Sequence, residues 1–429
     1  MSDSTKNSRN VLVIAYYFPP MGLSGVQRTQ KFVKYLHQFG WKPTVITVTP
    51  TGYFAQDYSL LEELKNSNTE IVRVGSLDPN RFFKKKGIIK MPSERTRKMF
   101  SFISDVFFIP DNKIGWKLNV LKTADELFKK TKFDIIFATS PPYTDLLIGN
   151  ELSKKYKIPL VLDYRDVWHE YPLKIYPTPL HKYKNYKLEQ EVLHNAKKVI
   201  TTNRRVKELL LARYKFLHYK DVDIIPQGFD PEDFEKNKPA PRSPSNKMRI
   251  THAGVFYGER TPNYFFLALQ KLIKENPHLQ NRIEVFFIGN FRDEDKKLID
   301  KYNLGNVVTV LGYLEHNKCV QYIMSSDLFW LMLDNDTQSP GKVYEYIGAR
   351  KPILANVPEG FIQQTILEFN GNIVLPPQDV NATAGALKNF YIKFEKGEKF
   401  SLDEDKVNFY NRINLTNQLA NIFGFLTEV

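Results

Sequence analysis

Along most of this chain, short apolar runs of strand length alternate with stretches in which apolar residues recur at helical spacing. Residues 11–15 form an unbroken apolar run of the kind buried on both faces of a parallel sheet. A loop with glycines follows, and then Val26, Phe32, Val33, Leu36 and Phe39 repeat with helical spacing until Gly40 stops the helix. Residues 44–48 read as the next strand, and the alternation continues with strands at 134–138, 159–163 and 198–202. A second series begins near 219, with strands expected at 222–226, 249–253, 283–288, 307–311, 328–333, 352–355 and 372–375. Helical patterns separate most of these, so both halves read as parallel, helix-flanked sheets.

The expected fold class is therefore α/β: two Rossmann-like parallel-sheet domains facing an interdomain cleft, because such sheets hold ligands beyond the carboxyl ends of their strands. The pattern divides the chain into residues 1–215, residues 216–405 and a terminal helical segment at 406–429 that can return to the first domain. A length of 429 residues suits two domains of ordinary size.

Composition narrows the context. Apolar content of 42% and charged content of 25% are those of a globular protein. Cys319 is the single cysteine, which excludes an intramolecular disulfide framework and a cysteine-built metal site. No apolar run approaches the ~20 residues of a membrane helix, and residues 1–15 lack the pattern of a signal peptide. The expected location is cytoplasmic, peripheral at the inner face of the membrane. Lysine and arginine number 61 against 47 acids, a net charge of +14 that favours anionic partners.

Two segments of the second half carry candidate anion chemistry. Thr251-His-Ala-Gly-Val-Phe-Tyr-Gly-Glu-Arg-Thr-Pro262 leaves a strand, crosses a glycine loop and enters a helix. With Thr261 as N-cap and Pro262 at the first helical position, Arg260 stands beside helix amides that favour a phosphate. In Ser339-Pro-Gly-Lys-Val-Tyr-Glu345, Ser339 can cap and the amides from Gly341 to Val343 can face an anion. Lys342 can then meet a diphosphate and Glu345 ribose hydroxyls; the plainer alternative is a surface ion pair three residues apart.

These segments resemble the nucleotide-binding half of GT-B glycosyltransferases, particularly the retaining family 4, or group 1. The likeness continues at Ile224-Ile-Pro-Gln-Gly-Phe-Asp230, at Gly289, Gly312 and Ser326-Asp-Leu328, and in the first loop, Tyr17-Phe-Pro-Pro-Met-Gly-Leu-Ser-Gly-Val-Gln-Arg28. Ala138-Thr-Ser-Pro-Pro142 and Asp163-Tyr-Arg-Asp-Val-Trp168 are similar to a subgroup's motifs after successive strands. The resemblance implies that Arg260 and Lys342 hold the donor diphosphate and Glu345 the ribose, with Ser339 and Gly341 beside them. It implies that Tyr313 and Leu314 lie against the base, and that Gly22 and Gly25 let backbone approach phosphate and sugar. Asp163 occupies the strand end where many relatives have a catalytic histidine. Asp163, Arg165 and Asp166 are thus the candidate catalytic group, or a structural ion-pair cluster, and Arg28, Ser140 and Trp168 the candidate acceptor contacts. Thr337 stands where the family's acid-x7-acid motif has its first acid, and Arg260 lacks the usual nearby lysine.

The function expected is transfer of a sugar from a nucleoside-diphosphate sugar to a glycan or lipid-linked acceptor, in surface polysaccharide or glycolipid biosynthesis. Retention of configuration is what the resemblance implies. Alternatives are a nucleotide-sugar epimerase, a phosphorylase, or a catalytically silent glycan- or nucleotide-binding protein. No metal or further cofactor is expected: Asp334 and Asp336 form the kind of pair that metal-dependent transferases of the other common fold use, but they sit where a solvated loop is expected. Residues 81–108 combine eight basic residues with aromatics, a pattern suited to anionic membrane. No base-reading motif accompanies it, so nucleic acid is not an expected partner.

Overall fold

The computed structural model describes residues 9–428, apart from 23, 54, 79–93, 170–173, 243 and 257. It divides into two compact units, one of Met1–Gln227 with Arg412–Val429 and one of Gly228–Asn411. Each unit is built on one parallel sheet.

In the first unit, seven strands are described: β1 (Arg9–Ile14), β2 (Trp41–Val48), β3 (Glu70–Val74), β4 (Ile135–Ser140), β5 (Leu160–Tyr164), β6 (Lys198–Thr201) and β7 (Val222–Ile224). Their order is β3-β2-β1-β4-β5-β6-β7, with every pair parallel. The unbroken apolar run of β1 is explained by its two faces. Leu12 and Ile14 join one buried core with Ile136 and Leu162, while Val11 and Val13 join another with Phe137 and Val161. Helix Ser24–Leu36, continued as a 3-10 turn to Phe39, ends at Gly40 with φ +78°, a left-handed stop natural to glycine.

The second unit carries β8 (Met248–Ala253), β9 (Ile283–Ile288), β10 (Val308–Gly312), β11 (Leu328–Met332), β12 (Ile353–Asn356) and β13 (Ile373–Leu375). Their order is β10-β9-β8-β11-β12-β13, again parallel. Odd and even strand positions again separate into two cores, with Ile250, Val285 and Trp330 in one and Ala253, Ile288 and Leu331 in the other.

Three expectations need correction. The strand near 222 does not open the second sheet: β7 pairs with β6 through Val199↔Val222 and closes the first, so the division falls at Gln227 and not at 215. The second unit runs on to Asn411, beyond the expected 405, and the segment that returns to the first unit starts later than expected, at helix Arg412–Thr427. Its Leu415, Leu419 and Phe423 enter the core around β1, with Phe423 edge-on to Trp41 at 5.3 Å. Strand β3 was not foreseen. It is an edge strand, Glu-Ile-Val-Arg-Val, mostly half-buried, and charges interrupt the apolar run that marks its neighbours.

Candidate active site

Sheet order reverses between β8 and β11 in the second unit, and that reversal opens a crevice at the strand ends. The two strands share only Leu328↔Ile250 and Phe329↔Thr251 before they diverge. The Trp330 carbonyl is then met by the His252 Nδ1 at 3.0 Å. Burial pushes the His252 imidazole down to about 4, so the ring is neutral at pH 7, and it stacks on Phe256 at 4.7 Å. Backbone closes tightly around the floor of the crevice. Gly254 N donates to Ile288 O at 2.8 Å, Gly289 N donates to Gly312 O at 2.8 Å, and a Cβ on Gly289 would lie 2.1 Å from Gly254 O. Only glycine fits at Gly289, whose φ is +127°.

The loops after β8 and β11 meet at Arg260. Its Nε donates to Asp334 Oδ1 at 3.0 Å and its Nη2 to Gln338 Oε1. Asp334 is therefore the counter-ion of Arg260. The loop leads directly into helix Gly341–Gly348, where Lys342 Nζ lies 2.6 Å from Glu345 Oε2. Burial opposes the charge on Lys342, but the neighbouring Cys319 and Glu345 more than offset it and hold the ammonium above the ordinary lysine value. The Tyr346 hydroxyl, one turn beyond Lys342, accepts from Ala253 N at 2.7 Å and pins this helix to the end of β8. Tyr313 and Leu314 follow β10, half-buried, and Leu314 leans on the core that includes Ile323 and Tyr344.

Local capping differs from the expected form. The upstream helix begins at Asn263, with Asn263 N donating to Thr261 Oγ1 at 3.2 Å and Pro262 in the N-cap position. Ser339 does not cap: its hydroxyl meets Tyr344 OH at 3.0 Å, and Pro340 is the N-cap. Val343 N donates to Pro340 O at 3.2 Å, which removes it from the amides expected to face an anion.

The first unit has its own switch point, between β1 and β4, and its charged groups are arranged differently. Asp163, at the end of β5, takes Arg28 Nη2 at 2.9 Å and Thr139 Oγ1 at 2.9 Å. Arg28 also donates to the carbonyls of Ile225 and Pro226, and the side chains of Arg28 and Asp163 are both 0% exposed. Arg165 folds back onto the backbone, its Nη1 donating to Gly25 O, its Nη2 to Pro141 O and its Nε to Ser140 O at 3.1 Å. Asp166 is half-buried one residue further on. Gly22 N donates to Ala55 O at 2.9 Å, while Gly25 is exposed in the first turn of its helix. Ser140 is fully buried, its hydroxyl 3.4 Å from Asp163 O. Trp168 is a core residue: its Nε1 donates to Asn185 Oδ1 at 3.0 Å and its ring stacks on Tyr143 at 4.8 Å. Three of the expected contact residues, Arg28, Ser140 and Trp168, thus hold the strand ends in place and have no exposed surface for an acceptor.

Comparison with known proteins fits this architecture unit by unit. The family model described as Glycosyltransferase Family 4 matches residues 25–233, and that described as Glycosyl transferases group 1 matches residues 233–402. The chain is a group 1 glycosyltransferase of the GT-B fold. Among solved structures it is similar to the sucrose-phosphate synthase of Thermosynechococcus elongatus, with TM-score 0.67 and 14% identity over 97% of this chain and 99% of that one. The HepE protein of Anabaena, solved with UDP-glucose, gives TM-score 0.63 and 15% identity over 97% of this chain and 99% of that one. The trehalose-6-phosphate synthase OtsA gives TM-score 0.63 and 13% identity over 98% and 99%. A search of curated proteins finds no match to the sequence.

In this glycosyltransferase Arg260, on the loop after β8, is tied to the loop after β11, which carries Ser339 into the helix of Gly341, Lys342 and Glu345, while Gly312 leads Tyr313 and Leu314 from β10, on the far side of β9. Several residues at these strand ends escaped the sequence reading. Gln338 and Tyr346 orient the cationic segment, and the only signal for Gln338 is its place in a polar loop after an apolar strand. In the first unit, Asp145 is wholly buried, and burial pushes its carboxyl well above the ordinary carboxylate range. Its Oδ2 accepts from Tyr16 N at 2.8 Å, and Tyr53, beside Tyr17 at 5.5 Å, has its phenol pushed up to about 12 by burial. Nothing in the sequence spacing marks Asp145.

Proposed function

We propose that this glycosyltransferase moves a sugar from a nucleoside-diphosphate sugar to a glycan or lipid-linked acceptor, in surface polysaccharide or glycolipid synthesis. The observation that carries this reading is the placement of Arg260 and Lys342, two cations on adjoining loop and helix at the switch point of the second sheet, each in an ion pair that keeps some surface in water, through Asp334 at 23% in one and Lys342 at 17% in the other. A diphosphate entering there exchanges with Asp334 and Glu345 for the same cations. Glu345 is then released toward the ribose, and Tyr313 and Leu314 flank the base.

Departure of the nucleoside diphosphate builds negative charge on its β-phosphate. Arg260, Lys342 and the Gly341 and Lys342 amides, fixed before the reaction, stabilise that charge more in the transition state than in the ground state. The chemistry proceeds with retention, the leaving phosphate helping to deprotonate the acceptor, and needs no metal. In the first unit, Asp166 orients the acceptor, Arg165 acts by holding the backbone of Gly25, Ser140 and Pro141 in place, and Asp163 acts through Arg28 as a positioning residue. Thr337 tunes which donor sugar fits. A lipid-linked acceptor would bring the protein to the inner membrane face, as the basic and aromatic content of 81–108 suggests.

The test is a thermal-shift screen against UDP, GDP, ADP and CMP and their common sugars, with and without EDTA. A ligand at one hundred times its dissociation constant raises stability by about 2.7 kcal/mol. A shift with one nucleoside diphosphate, indifferent to EDTA and lost in Arg260→Ala and Lys342→Ala, is the expected result. A shift that requires metal, or none with any nucleotide, overturns the proposal.

A further inference from the structure

Helix Glu94–Phe107 is amphipathic with its faces reversed. Met99, Phe100, Phe102, Ile103, Val106 and Phe107 occupy an arc of about 160° at 3.6 residues per turn. An arc of that width and composition normally faces a protein core. Here it faces out, with Phe107 75% exposed and Phe100 60% exposed. Three polar residues of the same helix turn inward. Ser101, Ser104 and Asp105 are half-buried, and Asp105 Oδ1 binds Lys174 at 2.9 Å with both side chains nearly enclosed. Ile175 N donates to the other oxygen of Asp105 at 3.4 Å. The polar edge is thus tied to the unit, and the apolar arc is held outward by those ties.

A second helix, Pro179–Asn195, extends the surface. It is joined to the first where His181 Nε2 lies 3.1 Å from Val106 O. Leu180, Tyr183, Lys184 and Lys187 recur at i, i+3, i+4 and i+7 and are all exposed. Lys182 is exposed on the same helix, and Lys187 Nζ lies 5.7 Å from the Tyr183 ring. Apolar bulk on one helix and lysines beside aromatic and aliphatic side chains on the next form one continuous face.

We propose that this two-helix face is a docking surface for an anionic lipid bilayer, with the arc from Met99 to Phe107 inserting among the acyl chains and Lys184 and Lys187 meeting lipid phosphates. A second copy of the chain fits less well, because a net charge of +14 and lysines around the face repel a like surface. A polyanion such as nucleic acid would leave the apolar arc in water. The proposal deepens the lipid-linked acceptor reading and is independent of the donor site, which lies in the other unit.

Flotation of the full chain with vesicles of equal parts phosphatidylglycerol and phosphatidylcholine, against pure phosphatidylcholine, tests it. The chain should float with the anionic vesicles and not with the neutral ones, and rising salt should release it. The Phe100→Ser, Phe107→Ser double variant should lose bound protein by about tenfold or more. Lys184→Glu with Lys187→Glu should lose it as well. All four positions are exposed, so each variant should keep the wild-type Tm and nucleotide-induced shift, which separates failure of docking from failure of donor binding. Absence of flotation, equal flotation on neutral vesicles, or full binding by the variants would overturn the proposal. So would self-association in sedimentation that the phenylalanine substitutions abolish.

Discussion

The ion pairs near the switch points of the two sheets differ in how far they are shut from water. In the first unit, Arg28 and Asp163 meet at 2.9 Å with no exposed surface, and Arg28 donates further to the carbonyls of Ile225 and Pro226. In the second, Arg260 and Asp334 meet at 3.0 Å and Lys342 and Glu345 at 2.6 Å, and each pair keeps some surface in water, Asp334 being 23% and Lys342 17% exposed. Strand order at the two switch points is the same, so topology alone does not decide whether a charge serves the fold or a ligand. On the donor-site reading proposed above, what decides is enclosure: an ion pair wholly shut from water holds a strand end in register, and one that keeps surface in water can change partners.

The comparison is broken most forcefully at Asp163. Removing it as Asp163→Ala leaves a buried guanidinium without its partner, and unfolding in denaturant should show a loss of about 3–5 kcal/mol. Should Asp163→Asn instead keep full stability and abolish transfer, the residue would belong to the chemistry and the contrast between the units would fail. In the second unit the same kind of change should act on rate. Arg260→Ala or Lys342→Ala should lower nucleoside-diphosphate release in the presence of acceptor by about 10²–10³-fold, with the unfolding midpoint moved far less than in Asp163→Ala.

His252 gives a pH-dependent handle on the second switch point. Its folded pKa, about 4, lies below the ordinary 6.5, so the unfolded chain binds the proton first. The stability it contributes is present above pH 6.5 and is lost as pH falls toward 4. The loss is on the order of 3 kcal/mol, and the pH-stability curve of His252→Asn should be flatter than wild type by that amount over this window. The smallest effect calibrates the others. Lys154–Glu191 is an exposed pair at 2.7 Å in the first unit, and Lys154→Ala should cost under about 1 kcal/mol by the same unfolding measurement.

Much of this was legible along the chain because parallel strands buried on both faces leave unbroken apolar runs. β1, β4, β5 and β11 carry such a run, whereas β8 and β9 were marked by apolar enrichment between helical patterns, with Arg249, Thr251, His252 and Glu284 among the apolar residues. The exceptions have physical causes. The edge strand β3 needs no second apolar face, so Glu70 and Arg73 interrupt it. The run at β7 was visible but its sheet was not, since only pairing with β6 assigns it. Trp168 followed a motif at a strand end, yet one residue's difference in direction separates a side chain in a crevice from one stacked on Tyr143 in the core. Thr261 and Ser339 had the composition of caps, but the helices begin one or two residues later.

By itself the sequence determined the α/β alternation, the two parallel sheets, and the loop-to-helix segments on which Arg260, Lys342 and Glu345 lie. Those features are written in local spacing, turn glycines and charge, which act over a few residues. Tertiary structure alone decided which ion pairs are wholly enclosed and which keep surface in water, where Asp145 is buried, and that the apolar arc of Glu94–Phe107 faces outward. Each of these depends on partners far away in the chain, Asp163 for Arg28, Asp334 for Arg260, Lys174 for Asp105. Burial and pairing are properties of the packed neighbourhood, and no periodicity records them.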